Sequence, residues 1–221
     1  MERKVFTHLV GPDARNLNTQ LSQGGFRRSQ NIAYRPACDA CKACESVRVP
    51  VATFEWTRSF RRILARNADL QVSVVKAEAT SEQYSLFRSY IDTRHSEGGM
   101  ANMSVLDFAA MVDDNLVESR IVEYRLPKDH PHAAGELVAA VLIDILGDGI
   151  SMIYSFYEPT LEQRSLGSFI ILDNILRVGR MGLPSVYLGY LVQNSAKMHY
   201  KSRFLPQERL GPSGWKTVGR I

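Results

Sequence analysis

The spacing of apolar positions changes several times along this chain, and each change predicts an element. Thr57 to Asn67 places Phe60, Ile63 and Leu64 on one face and Arg58, Arg61, Arg62 and Arg66 elsewhere, which predicts a helix or helical turn. Leu70 to Val75 alternates apolar with polar residues and reads as a strand. Thr80 or Ser81 caps a helix running to about His95, with Tyr84, Phe87, Tyr90 and Ile91 at helical spacing, and Ser104 opens another with Leu106, Phe108 and Met111. Three strand-like runs follow, Arg120–Arg125, Leu137–Leu146 and Gly149–Phe156. Gly147-Asp148-Gly149 is a tight-turn signal, so the last two runs pair as an antiparallel hairpin. Ser165 to about Met181 is the next helix, Val186–Tyr190 a strand, and a last turn or helix starts near Ser195. The first 50 residues are rich in Gly, Pro, Asn and Arg, with one short helix between Leu9 and Gly24.

The order helix, helix, antiparallel strands, helix, strand predicts an α+β fold. It matches a GNAT-type acyltransferase better than a Rossmann unit, which needs repeated βαβ crossovers. We expect a small cysteine-containing basic region over residues 1–66 and a GNAT-like domain over 67–221. In such folds an Arg/Gln-x-x-Gly-x-Gly/Ala loop cradles a pyrophosphate at a helix N-terminus. Arg164-Ser-Leu-Gly167-Ser stands in that place, with Phe169 where the last small residue belongs. That bulk weighs against coenzyme A.

Composition adds a location for charge. The chain of 221 residues carries a net +4, but residues 1–66 hold 12 Lys+Arg against 5 Asp+Glu and the rest 15 against 18. A basic end interleaved with Phe26, Tyr34, Phe54, Trp56 and Phe60 suits a nucleic acid, although arginine faces are often merely solvated. No apolar tract reaches the roughly 18 residues that span a membrane.

All three cysteines, Cys38, Cys41 and Cys44, lie in one C-x-x-C-x-x-C run among those arginines. An odd count and no secretory signal argue against a disulfide framework and for the cytoplasm. Three soft ligands at this spacing are candidates for zinc or an iron–sulfur cluster; the alternative is three small side chains packed under a loop.

Six ordered segments then resemble one family over the whole chain. They are Gly25-Phe-Arg-Arg-Ser, Tyr34-Arg-Pro through Cys44, Arg94-His-Ser-Glu-Gly-Gly, Tyr154-Ser-Phe-Tyr-Glu-Pro, Arg164-Ser-Leu-Gly, and Leu188 through Lys201. The chain is similar to the bacterial aspartate/glutamate leucyltransferases, relatives of the eukaryotic arginyl-tRNA–protein transferases. The resemblance implies transfer of leucine or arginine from aminoacyl-tRNA to the N-terminal amine of proteins starting with Asp or Glu, which marks them for degradation. No cofactor is required for such transfer. It also implies an upstream segment with a further cysteine in a Cys-x-Tyr-Leu-Pro context, absent from this sequence, so a four-thiolate site is one ligand short and we expect a start upstream or a shortened form.

Attack of an amine on an activated ester needs two substrates held together, a neutral amine and a stabilised oxyanion. Arg28 and Arg35 are candidates for the acceptor carboxylate, Arg164 and Gly167 for an anion. Asp144, a carboxylate in an apolar run, is a candidate general base or a buried structural partner, and His95 a second candidate base or a helix cap. Tyr187 and Tyr190 belong to the late strand that lines the acyl pocket of GNAT-type folds, and Tyr190 is the candidate for the aminoacyl-adenosine end. Ser195 and Lys197 follow as substrate contacts, with Arg58, Arg61, Arg62 and Lys201 as tRNA contacts. The rival readings are a coenzyme A-dependent N-acetyltransferase and a non-catalytic metal-containing RNA-binding protein.

Overall fold

The structure, a computed structural model, describes residues 3–39, 41–192, 195 and 198–219. Its elements in chain order are β1 (Lys4–His8), α1 (Ala14–Gln23), β2 (Arg27–Ser29), β3 (Ile32–Pro36), β4 (Cys44–Pro50), α2 (Arg58–Arg66), β5 (Gln71–Lys76), α3 (Ser81–Arg94), α4 (Val105–Asp113), β6 (Ser119–Arg125), β7 (Leu137–Leu146), β8 (Gly149–Tyr157), α5 (Leu166–Arg180), β9 (Ser185–Val192), β10 (Gln207–Gly211) and β11 (Gly214–Val218). A 3-10 turn, His199–Arg203, precedes β10.

The main sheet has eight strands in the order β11-β10-β4-β9-β8-β7-β6-β5. Every neighbouring pair is antiparallel except β8 with β9. Helices cover both faces of its centre. The side chains of β6 and β7 therefore alternate between two apolar clusters. Ile121, Ala140 and Leu142 meet Leu86, Phe87 and Ile91 of α3 and Phe108 of α4. Val122, Val141 and Ile143 meet Phe60 of α2 and Ile170 and Ile171 of α5. Burial on both sides explains the nearly unbroken apolar run of β7. The local signals at the helix starts hold as well: Thr80 with Gln83 and Ser104 with Asp107 form reciprocal capping boxes.

The N-terminal region is less separate than its composition indicates. β1, β3 and β2 form a three-stranded sheet with α1 beside it, but β4 lies between β9 and β10 in the main sheet. Val47, Val49, Phe60 and Ile63 share one cluster with Val122, Ile170 and Val186. The expected division at residue 66 thus crosses a continuous core. At the other end, a β10–β11 hairpin follows where only a turn or helix was expected.

Candidate active site

The parallel pair creates the site. β8 and β9 are in register only over Gly149↔Ser185, Ile150↔Val186 and Ser151↔Tyr187, and then diverge. Gly149 permits the close start, since a Cβ there would stand 1.9 Å from the Ser185 carbonyl oxygen. Both strands are irregular just beyond. The β7 register skips Ile153 of β8, and the β4 register skips Leu188 of β9, next to Gly189 at φ +77°. Past this point the β8 carbonyls have no strand partner on the β9 side.

Arg27 of β2 fills part of the gap. Its Nη2 donates to the carbonyls of Met152 (3.0 Å) and Ile153 (2.8 Å). Around it opens a cavity of about 580 Å³. Met152, Ile171, Leu188 and Met198 supply an apolar wall, and Tyr154, Tyr190, Lys201 and His95 the polar one. No Asp or Glu is among the described residues that line it. A second cavity of about 340 Å³ shares Tyr90, His95, Ser155 and Tyr200 with the first and runs to the N-terminus of α5 at Ser165, Gly167 and Ser168.

Several expected residues meet here. Tyr190 donates its hydroxyl towards the Gly25 (2.9 Å) and Tyr34 (3.0 Å) carbonyls, and burial raises its pKa. His95 caps α3, with Nε2 3.2 Å from the Tyr90 hydroxyl, and lines both cavities. Lys201 was expected at the tRNA; its ammonium instead lines the cavity and donates to the Tyr190 carbonyl at 2.7 Å. Burial first, and the Arg27 charge second, push its pKa down to about 7. Gly167 lies against the Tyr157 ring in the second cavity.

Others are tied up elsewhere. Arg28 and Asp144 bind each other: Arg28 Nε to Oδ2 at 2.6 Å and Nη2 to Oδ1 at 2.7 Å, with both side chains almost wholly buried. Ser119 (2.6 Å) and Asn18 (3.2 Å) donate to the same carboxylate. A carboxylate so saturated is a structural counter-ion, so neither the general-base role of Asp144 nor the acceptor-binding role of Arg28 is retained. Arg35 is exposed, reaches the Gly24 carbonyl and covers the Phe26 ring. Arg164 makes a two-pronged pair with Asp69 (both 2.8 Å), which holds that carboxyl below its usual range and turns the guanidinium away from the loop. Tyr187 bonds Asp148 (2.7 Å) and accepts from Arg48 (3.0 Å) outside the cavity. Phe169 is buried against Tyr124 and leaves the α5 N-terminus open, so the weight placed on its bulk is withdrawn. Ser195 borders the cavity-side turn without lining the cavity, and Lys197 lies outside the described residues.

Arg58, Arg61 and Arg62 form an exposed face of α2. That helix packs on α5 and ends beside the second cavity, where Asn67 donates to the Arg164 carbonyl at 2.8 Å.

The cysteines do not converge. Cys38 Sγ accepts the Arg3 N–H at 3.5 Å, and Cys41 and Cys44 are exposed. Among the described residues no three His, Cys, Asp or Glu stand close enough to hold a metal ion, so the thiols as placed do not fit a zinc or cluster site.

Sequence reasoning missed Arg27. Adjacent strand residues face opposite ways, so Arg27 and Arg28 serve different sides of β2. Choosing between them requires Asp144, 116 residues further on.

A splayed parallel pair with a helix N-terminus at its mouth gives the chain a GNAT-like α+β fold. The crystal structure of FemX has the same fold, with a TM-score of 0.51 at 10% identity over 88% of this chain and 65% of that one. The chain belongs to the arginine-tRNA–protein transferase family, whose N-terminal model matches residues 1–62 and C-terminal model residues 82–211. The aspartate/glutamate leucyltransferase of Afipia carboxidovorans is 61% identical over 217 residues, covering 98% of this chain and 86% of the relative. That of Rhodopseudomonas palustris is 58% identical over 221 residues, covering 99% and 86%. The chain is a leucyltransferase enzyme. Among the described residues no helix is long and apolar enough to cross a membrane.

Proposed function

We propose that this enzyme transfers leucine from charged tRNA to the α-amine of cytoplasmic proteins that begin with Asp or Glu, marking them for degradation. The observation that carries the reading is a cavity that holds the Arg27 cation without a carboxylate partner and has no Asp or Glu among its described lining residues. Such a cavity attracts an acidic side chain, and Arg27, anchored by Nη2 on the main chain, supplies the unpaired positive charge that would meet it. The same charge disfavours an arginyl donor. The leucyl side chain has an apolar wall in Met152, Ile171, Leu188 and Met198.

The tRNA approaches along the exposed arginines of α2, and its 3′ end enters through the second cavity at the N-terminus of α5, where free N–H groups suit a phosphate. Attack of the neutral amine on the ester carbonyl forms the peptide bond and releases the ribose hydroxyl. The cavity holds both reactants at attack distance.

The test offers labelled leucyl-tRNA, arginyl-tRNA and acetyl-coenzyme A in turn with an Asp-starting peptide. Leucine transfer alone is the expected result. Acetyl transfer, or binding of charged tRNA without any transfer, contradicts the reading.

A further inference from the structure

We propose that Lys201 accepts the proton that the acceptor's α-ammonium group must lose before it attacks. The proposal rests on the cavity being the acceptor's binding place, as read above. Of the two bases the sequence offers, Asp144 is saturated by Arg28, Ser119 and Asn18, and His95 holds Tyr90 through Nε2. Lys201 spends one bond, on the Tyr190 carbonyl, and lines the same cavity as Arg27.

The surroundings of Lys201 disfavour its charged form. From β2 it meets the Arg27 cation, which lowers its pKa further after burial has done so, to about 7. The other titratable groups of the cavity are Tyr34 on β3, Tyr90 and His95 at α3, Tyr154 on β8 and Tyr190 on β9. Burial raises the Tyr90, Tyr154 and Tyr190 pKa values, so these hydroxyls stay neutral. On its own turn Tyr200 is likewise raised, and His199 and Arg203 are exposed. Arg28 also borders the cavity, with its charge matched by Asp144. An α-amine ordinarily titrates at about 7.7–8.0, close enough for transfer in either direction.

The side-chain carboxylate of an acidic acceptor, against Arg27, offsets part of the charge that depresses Lys201. One proton passes from the α-ammonium to Lys201. The freed lone pair forms the C–N bond, the C–O bond to the ribose breaks, and a second amine proton ends on the ribose oxygen. The third stays on the new amide, and Lys201 returns its proton to solvent.

The experiment measures leucine transfer to an Asp-starting peptide from about pH 6 to pH 9 for the unmodified enzyme, Lys201→Arg and Lys201→Ala. The unmodified rate should climb about tenfold per pH unit at the acid end and level off near neutrality. Lys201→Arg should lower kcat by about 10²- to 10⁴-fold, with peptide KM and leucyl-tRNA affinity within about threefold. Added ethylamine, which fits the space the shortened side chain leaves, should restore part of the Lys201→Ala rate. A Lys201→Arg enzyme with unchanged rate and pH profile overturns the proposal, as does a folded Lys201→Ala enzyme that no amine rescues. Peptide binding to Arg27→Met separates the two readings. Undiminished affinity for the Asp-starting peptide rejects the acceptor cavity itself, whereas weakened affinity beside an unaltered Lys201→Arg rejects only the lysine.

Discussion

The guanidinium of Arg27 occupies the space that any side chain on Gly189 would need: a Cβ there would stand 1.2 Å from Arg27 Nη1. The glycine is also left-handed, at φ +77°. Gly189→Ala should therefore cost about 1–2 kcal/mol of backbone strain and also expel Arg27 from the gap. The expected outcome is a lower denaturation midpoint together with loss of discrimination between Asp- and Ala-starting peptides. An alanine variant that keeps full discrimination would show that Arg27 is not held by this approach.

Arg28, the next residue of the same strand, tests the opposite behaviour. Its removal leaves the Asp144 carboxylate buried with only Ser119 and Asn18 as partners. Arg28→Met should destabilise the protein by about 3–5 kcal/mol, as read by urea titration, while the protein that remains folded keeps its preference for acidic acceptors. Unchanged stability with lost preference would return Arg28 to the substrate.

The α2 arginines bear on tRNA. Arg48, Arg125 and Arg164 are tied to Glu208, Glu82 and Asp69, whereas Arg58, Arg61 and Arg62 project into solvent. Replacing the three by Gln should reduce the slope of log tRNA affinity against log salt by about two to three units. No change in slope would place the tRNA on another face.

What the sequence disclosed follows the range of the forces involved. The helix starts at Thr80 or Ser81 and at Ser104, the β7–β8 hairpin across Gly147-Asp148-Gly149 and the helix after Ser165 are set by neighbours within a few residues, and all were legible. The expectation that Asp144 needs a partner was also sound, because an unpaired carboxylate in an apolar strand is costly. Its partner was not legible, since Arg28 reaches it only through the fold. The same holds for β4, whose Val47 and Val49 read as a strand only when β9 and β10 flank them. Lys201 was read as a tRNA contact because nothing local to it shows that its turn borders a cavity.

The proposed function makes Arg27, in the splayed gap, the residue that selects acidic N-termini. Its most direct test is leucine transfer from leucyl-tRNA to peptides beginning with Asp, Glu, Ala or Lys, by the unmodified enzyme and Arg27→Met side by side. A charge-assisted pair with the acceptor carboxylate contributes about 2–3 kcal/mol, so the unmodified enzyme should favour Asp and Glu over Ala by roughly 30- to 150-fold. Arg27→Met should bring that ratio to within about threefold while leucyl-tRNA affinity holds. Equal transfer to Asp and Ala by the unmodified enzyme, or an undiminished ratio in Arg27→Met, would rule out selection by Arg27.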